Sequence, residues 1–298
     1  MADMAHTAGT AHTAGTAHTA GTADAASVAG RRSLLLYGVV RDDHPLPDPP
    51  PLGLGDPPER VRLVRHPPVA AAVSPVTDPV RITDEDAERH LDVLLGLLAD
   101  GPVIPLRLGS VAPDEDAVRA EVLGEAAGDL RRRLDALDGL VEVHVDADEE
   151  EMTAIRAVIA ADPSLAAARA GSRDEADVGT RMALGERVAD GVVLRRLHQA
   201  EALLEELRPC SVADTGRGPM GGPEDPVLRW AFLVHRDAEP GHRDLGHFDE
   251  AVEQVRGDHP DLTIEYVGPL PTFHFLNLAE AAQTADAAGE PQHSRWGW

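Results

Sequence analysis

Four histidines in the C-terminal third, His235, His242, His247 and His259, are the residues whose type best suits metal binding or proton transfer. Their spacing argues against both roles. None falls at the i, i+4 separation that puts two imidazoles on one face of a zinc helix, unless His242 precedes a helix containing His247. They read as loop and surface histidines. Three more, His6, His12 and His18, recur six residues apart in the repeat AHTAGT between Ala5 and Thr22. The Ala, Gly and Thr around them cannot close a coordination shell, and the segment reads as a disordered tail. The acids Asp146, Asp148, Glu149, Glu150 and Glu151 have the chemistry for a divalent cation, yet they run into Met152, Ile155, Val158 and Ile159 at helical spacing. That pattern predicts carboxylates complementing a helix N-terminus. Gly216, Gly218, Gly221 and Gly222 imitate a phosphate loop, but they lead into a strand rather than a helix and have no lysine nearby.

Composition closes further classes. Every basic residue is Arg, which removes the P-loop lysine, Schiff-base lysines and lysine general bases. The single cysteine, Cys210, can form neither an internal disulfide nor a CxxC site; it is expected as a partly buried small residue of a cytoplasmic protein. No GxSxG or similar signature marks a nucleophile. The sequence therefore assigns no catalytic residue, no cofactor-binding residue and no metal ligand, and predicts a protein that is not an enzyme. A net charge of -25, from 52 Asp+Glu against 27 Lys+Arg, repels phosphate backbones and anionic headgroups, so neither nucleic acid nor membrane is expected as a partner. The N-terminus lacks the apolar core of a signal peptide, and no stretch approaches the ~18 apolar residues of a membrane span.

The elements that must position any site follow from apolar periodicity. With 298 residues and 43% apolar content, the chain is long enough for two ordinary domains. Six of its nine aromatic residues (Trp230, Phe232, Phe248, Tyr266, Phe273, Phe275) lie between 230 and 275, and VLRWAFLVH, Val227 to His235, reads as the central strand of a sheet. Order is expected from Leu34, where LLLYGVV gives a strand before the Pro/Gly loop RDDHPLPDPPPLGLGDPP. VRLVRHPPVAAAVSPV, broken at Pro67 and Pro68, gives one or two edge strands. Thr83 with Asp84, Glu85 and Asp86 opens a helix whose stripe is Ala87, Leu91, Leu94, Leu95 and Leu98. GPVIPLRLGSV follows as a strand with Pro105 at an edge or bulge.

After Pro113, the seam Leu123, Ala127, Leu130, Leu134, Leu137 predicts a helix bridging two domains. Leu140 to Val145 alternates as a half-buried strand. From about Asp174 to Leu207 a Pro-free pattern places Met182, Gly185, Ala189, Val193, Leu197, Ala200, Leu204 and Leu207 on one seam. Such a helix runs roughly 45 to 50 Å at 1.5 Å per residue, more than one small domain needs, so part of it projects or packs as a hairpin against the bridge helix or another chain. CSVAD, Cys210 to Asp214, is a short strand; Leu245, Phe248, Val252 and Val255 mark a helix face; Leu262, Ile264 and Tyr266 alternate up to Gly268. This order is a split βαβ pair with an insertion, an α+β fold with an antiparallel ferredoxin-like sheet and helices on one face. The expected division is a tail over 1–30, an N-terminal α+β domain over 31–112, a C-terminal ferredoxin-like domain with bridging helices over 113–278, and a tail over 279–298.

LLLYGVV, GPVIPLRLGSV, LDGLVEVHV, VLRWAFLVHR and YVGPLPTFHF, in that order from about Leu34 to Leu278, resemble the GvpF/GvpL family of gas vesicle proteins. The repeat at the start and AEAAQTADAAGEPQHSRWGW at the end depart from the family pattern. The resemblance implies an accessory or minor structural protein of gas vesicle assembly, cytoplasmic and vesicle-associated. The implied partners are the small hydrophobic shell protein and other gas vesicle accessory proteins, with no cofactor and no catalytic residue to carry over. The seam of the 174–207 helix and the segment Gly268 to Leu276 are the candidate contact surfaces. A protein-binding adaptor unrelated to gas vesicles and a small-molecule or metal enzyme stay open as rival readings.

Overall fold

The computed structural model describes residues 32–77, 82–171, 178–220, 222, 224–238 and 243–276. The N-terminal repeat, His242, Gly221 and the C-terminal tail lie outside the described residues. Two antiparallel sheets follow one another along the chain. The first is built from β1 (Arg32–Arg41), β2 (Arg62–His66), β3 (Val69–Thr77), β4 (Ile104–Pro105) and β5 (Val111–Ala112), in the order β2-β3-β1-β4, with β5 also paired to β1. Pro67 and Pro68 turn the chain between β2 and β3 as expected, but β3 is an interior strand rather than an edge. The sheet tolerates Pro75 because the β2 ladder stops at Val73, short of it.

Helix α1 (Asp84–Leu98) starts at Thr83, whose hydroxyl accepts from Asp86 N while the Asp86 carboxylate accepts from Thr83 N, a reciprocal cap. Its buried face is His90, Val93, Leu94, Leu97 and Leu98, rotated from the purely apolar stripe because a histidine occupies one inward position. His90 stacks on Tyr37 at 5.2 Å, its Nε2–H donates to the Leu106 carbonyl at 3.2 Å, and its Nδ1 is buried with no partner. Burial pushes the imidazole below its ordinary value, since the charged form would bury a second N–H without an acceptor. A base depressed in the folded state is protonated more readily when unfolded. The stability it contributes is complete above the ordinary histidine range and is lost as pH falls through that range toward the folded value. His90→Gln, which can keep the bond to Leu106, is therefore expected to show a smaller stability drop between pH 7 and 5 than the parent in paired urea titrations; equal drops would overturn this assignment.

The segment expected as a bridging helix breaks into α2 (Glu115–Ala117), a π-helical stretch Val118–Gly124 and α3 (Ala127–Ala136). All three lie on the first sheet: Leu123, Leu130, Leu134 and Leu137 share an apolar cluster with Leu36, Val39, Val64 and Val73. The seam predicted from spacing is the buried one, and its partner is the sheet beneath it rather than a gap between halves.

The second sheet comprises β6 (Leu140–Glu149), β7 (Ala213–Gly216), β8 (Leu228–His235) and β9 (Leu262–Leu270), in the order β7-β8-β6-β9 with every neighbour antiparallel. Between β6 and β7 come α4 (Glu151–Ala161), α5 (Pro163–Gly171) and α6 (Val178–Leu207); α7 (Leu245–Asp258) separates β8 from β9. This is the ferredoxin-like order with two extra helices in the first crossover. Val227–His235 does form an inner strand. The sheet's α6–α7 side carries Val141, Val143, Val145, Phe232 and Val234 against Leu203, Leu207, Phe248 and Val252, and the same cluster continues into Tyr37 of β1 and Leu94 and Leu97 of α1. Arg236 completes that junction, donating to the Leu98 and Ala99 carbonyls at the end of α1.

β6 runs four residues beyond the expected Val145. Asp146, Asp148 and Glu149 are thus strand residues: Asp146 pairs with Arg217 on one face and Glu149 with Arg195 on the other. Only Glu150 caps α4, its carboxylate accepting from Met152 N and Thr153 N. Cys210 closes a 3₁₀ turn instead of opening a strand, and it is buried as expected.

Candidate partner-binding surface

The inserted helices build an apolar groove on the surface. Asp162 ends α4, and its side chain accepts from Ser164 N at 2.8 Å, so Pro163 can start α5 at once. Hydrogen bonds from Ser164 hold the Asp162 carboxyl below its ordinary range. Ala154, Val158 and Leu165 then pack on Val192, with Ile155, Leu184 and Val188 around them. α4 and α6 come so close at Gly191 that a Cβ there would stand 2.5 Å from Val158 Cγ1, a distance only glycine permits.

The seam read from the sequence holds for the C-terminal half of α6, where Ala200, Leu204 and Leu207 are buried. It fails in the N-terminal half. There the inward stripe is Leu184, Val188 and Val192, while Met182 faces solvent at 62% exposure; Leu197, in the C-terminal half, is also off the buried stripe at 43%. α6 thus carries two apolar stripes, and the fold uses one of them. The expected hairpin forms with α4 and α5, not with the segment over 113–139.

Between α4, α5 and α6 lies a groove of about 510 Å³ with walls of Ala157, Val158, Ala161, Leu165 and Leu194, the last 55% exposed. Its rim is paired. Arg187 donates to Ser164 Oγ at 2.7 Å, and Arg195 binds the fully buried Glu149 carboxylate at 2.6 Å, which raises the guanidinium above its ordinary value. His259 meets Glu206 at 3.4 Å. This arrangement has no nucleophile–base pair; it offers an apolar floor with a charged edge, the composition of a protein-binding groove.

The histidines singled out earlier do not converge. His235 ends β8, His247 sits in the first turn of α7 against Asp244, and His259 follows α7. Gly216 ends β7 beneath the Trp230 ring, and Gly218 lies on the connection to β8. The closing segment 271–276 mostly packs inward: Phe275 joins Leu140, Ala231 and Leu233, and Arg133 donates to the Leu276 carbonyl, leaving Phe273 exposed. It covers a group that spacing alone did not reveal. Glu142 is fully buried, and its carboxylate meets His144 Nε2 at 2.5 Å and His274 Nδ1 at 2.7 Å. The available signal was weak: Glu142 and His144 are two apart on one strand face, with His274 in the late run TFHF.

Comparison with known proteins adds a second line. A family model described as Gas vesicle synthesis protein GvpL/GvpF matches residues 33–277. Gas vesicle protein F of a Streptomyces species is 34% identical over 247 residues, covering 82% of this chain and 99% of that protein. Gas vesicle protein F1 of Halobacterium salinarum is 24% identical over 230 residues, covering 76% and 85%. The crystal structure of the gas vesicle protein GvpF from an Anabaena species matches with a TM-score of 0.69 at 21% identity, over 82% of this chain and 98% of that one. That from Microcystis aeruginosa gives 0.65 at 19%.

Proposed function

The chain belongs to the GvpL/GvpF family of gas vesicle synthesis proteins, and from that membership we propose that it is an accessory assembly protein whose α4–α6 groove holds the small hydrophobic shell subunit before the subunit polymerises. The observation that carries this reading is the groove itself: apolar walls, a paired charged rim and Leu194 standing 55% exposed beside it. A subunit built to join a hydrophobic wall exposes apolar surface until it is incorporated, and an apolar groove on a highly charged carrier is a physical means of keeping that surface from aggregating. The net charge of -25 supplies the solubility. The protein acts without catalysis, in the cytoplasm and at the growing vesicle. Among the described residues no helix is long and apolar enough to cross a membrane.

The test is co-purification of the tagged full chain with co-expressed shell protein at low salt and at about 1 M salt, where exposed charge pairs are screened within ~3 Å. Retention at both salts is expected. Leu194→Asp, on an exposed helix face, should lower the retained shell protein about tenfold, the loss corresponding to one leucine no longer buried at an interface. No retention at either salt would sink shell binding and move the groove's partner to another gas vesicle accessory protein.

A further inference from the structure

The side of the second sheet that faces away from α6 and α7 carries Glu142 and His144 on β6, with the closing segment 271–276 laid across them. We propose that Glu142, His144 and His274 form a site for a divalent transition-metal ion, zinc fitting best, and that the bound ion fastens the closing segment to the sheet. This rests on geometry outside the groove and is independent of what the groove holds.

Two imidazole nitrogens and one carboxylate oxygen are the donor set that zinc and its neighbours take when one position stays open to water. The three donor atoms lie within 4.8 Å of one another, and the two rings stand edge to face at 5.4 Å. Both rings aim at the same oxygen: His144 Nε2 is 2.5 Å and His274 Nδ1 2.7 Å from Glu142 Oε1. Ligands about 2.0 to 2.1 Å from a tetrahedral ion stand roughly 3.3 Å apart, so a movement of less than ~1 Å by the rings admits the ion.

The surroundings favour it. Glu142 Oε2 accepts from the His274 backbone N–H at 2.8 Å, which fixes the carboxylate plane and leaves Oε1 as the donor, as second partners of metal ligands commonly do. The carboxylate is wholly out of water, and the partners that face it are two imidazoles and an amide, none with a permanent charge. A buried carboxylate needs a compensating positive charge, and a dication between it and the rings provides one. The rings reach solvent, the His144 side chain being 16% and the His274 side chain 36% exposed, which gives an ion a way in. The ion would then link positions 132 residues apart in sequence.

The experiment titrates the full-length chain with cobalt(II), as a spectroscopic stand-in, and with zinc(II), reading the visible ligand-field band, the stoichiometry by equilibrium dialysis and the melting temperature. His144→Ala and His274→Gln are the variants; both side chains reach the surface, and circular dichroism checks that each folds. The wild type should bind one tight equivalent more than either variant, show a cobalt band that both lack, and gain about 5 °C in melting temperature from saturating zinc, as binding to the folded state alone requires. The histidine repeat at 6, 12 and 18 is present in all three proteins and cancels in the difference. Equal stoichiometry and equal thermal shifts in the three proteins, or no cobalt band in the wild type, would overturn the site.

Discussion

Phe232→Ala is expected to lower folding stability by about 3 to 5 kcal/mol, the cost of emptying a closed aromatic site that its neighbours cannot refill. Phe232 is wholly buried on β8, between β6 through Val143 and β7 through Asp214. Its ring meets Phe248 of α7 at 5.1 Å and a tilt of 53°, and Phe248 in turn meets Tyr266 of β9 at 6.0 Å. The chain of rings ties strand, helix and strand together, and tilted aromatic pairs add to area burial. Equilibrium urea unfolding is the measurement, and a loss below ~1 kcal/mol would mean that the sheet does not pack around this ring. Trp230, two residues earlier on the same face, is only half-buried. Its indole N–H donates to Asp214 at 2.7 Å, and the Arg208 guanidinium stands 5.9 Å over its ring, so its truncation is expected to cost less.

Arg195→Met is expected to cost about 3 kcal/mol, because it strands a charge rather than removing an exposed pair. Glu149 has no exposed side-chain surface, and Arg195 meets it through two nitrogens, Nε at 2.9 Å and Nη2 at 2.6 Å. Methionine keeps the apolar stem over the groove edge but cannot neutralise the carboxylate. Exposed pairs such as Arg32 with Glu59, whose side chains are 73% and 40% exposed, should change stability by less than ~1 kcal/mol when broken. Urea denaturation of Arg195→Met beside Arg195→Met/Glu149→Leu separates the causes. Recovery of much of the loss in the double variant marks the stranded carboxylate as the penalty, whereas no recovery would place it in lost packing.

The fold was readable wherever one periodicity ran without competition. Val141, Val143 and Val145 alternate on β6, Phe248, Val252 and Val255 step along α7, and the order of these elements alone leads to the ferredoxin-like sheet seen in the structure. Reading failed where two patterns overlapped. Asp146, Asp148 and Glu149 are acids directly before a helix, the usual sign of an N-terminal turn, yet Ile264 and Leu228 offer Ala147 a ladder on both sides and the strand continues. On α6 two apolar stripes exist, and spacing could not say which one turns inward; Val158 and Leu165, from other helices, decide it. His90 has no local signature on α1, because its inward position depends on Tyr37 and Leu106, partners on other elements. Glu142 and His274 are 132 residues apart and meet only because the closing segment folds back over β6, a contact with no local signature.

The two halves of α6 have unequal support. Ala200, Leu203, Leu204 and Leu207 belong to the cluster that contains Phe232, whereas Leu184, Val188 and Val192 rest on a few side chains of α4 and α5. Opening free energy therefore falls along one continuous helix, from nearly that of global unfolding near Leu204 to a small fraction of it near Met182. Amide protons at the first end exchange only when the whole chain opens, and those at the second exchange through local fraying. In the proposed carrier role the helix would be a stiff mount at one end and an adaptable grip at the other, its turns near Met182 loosening and re-forming around the shell subunit while the sheet keeps its native packing.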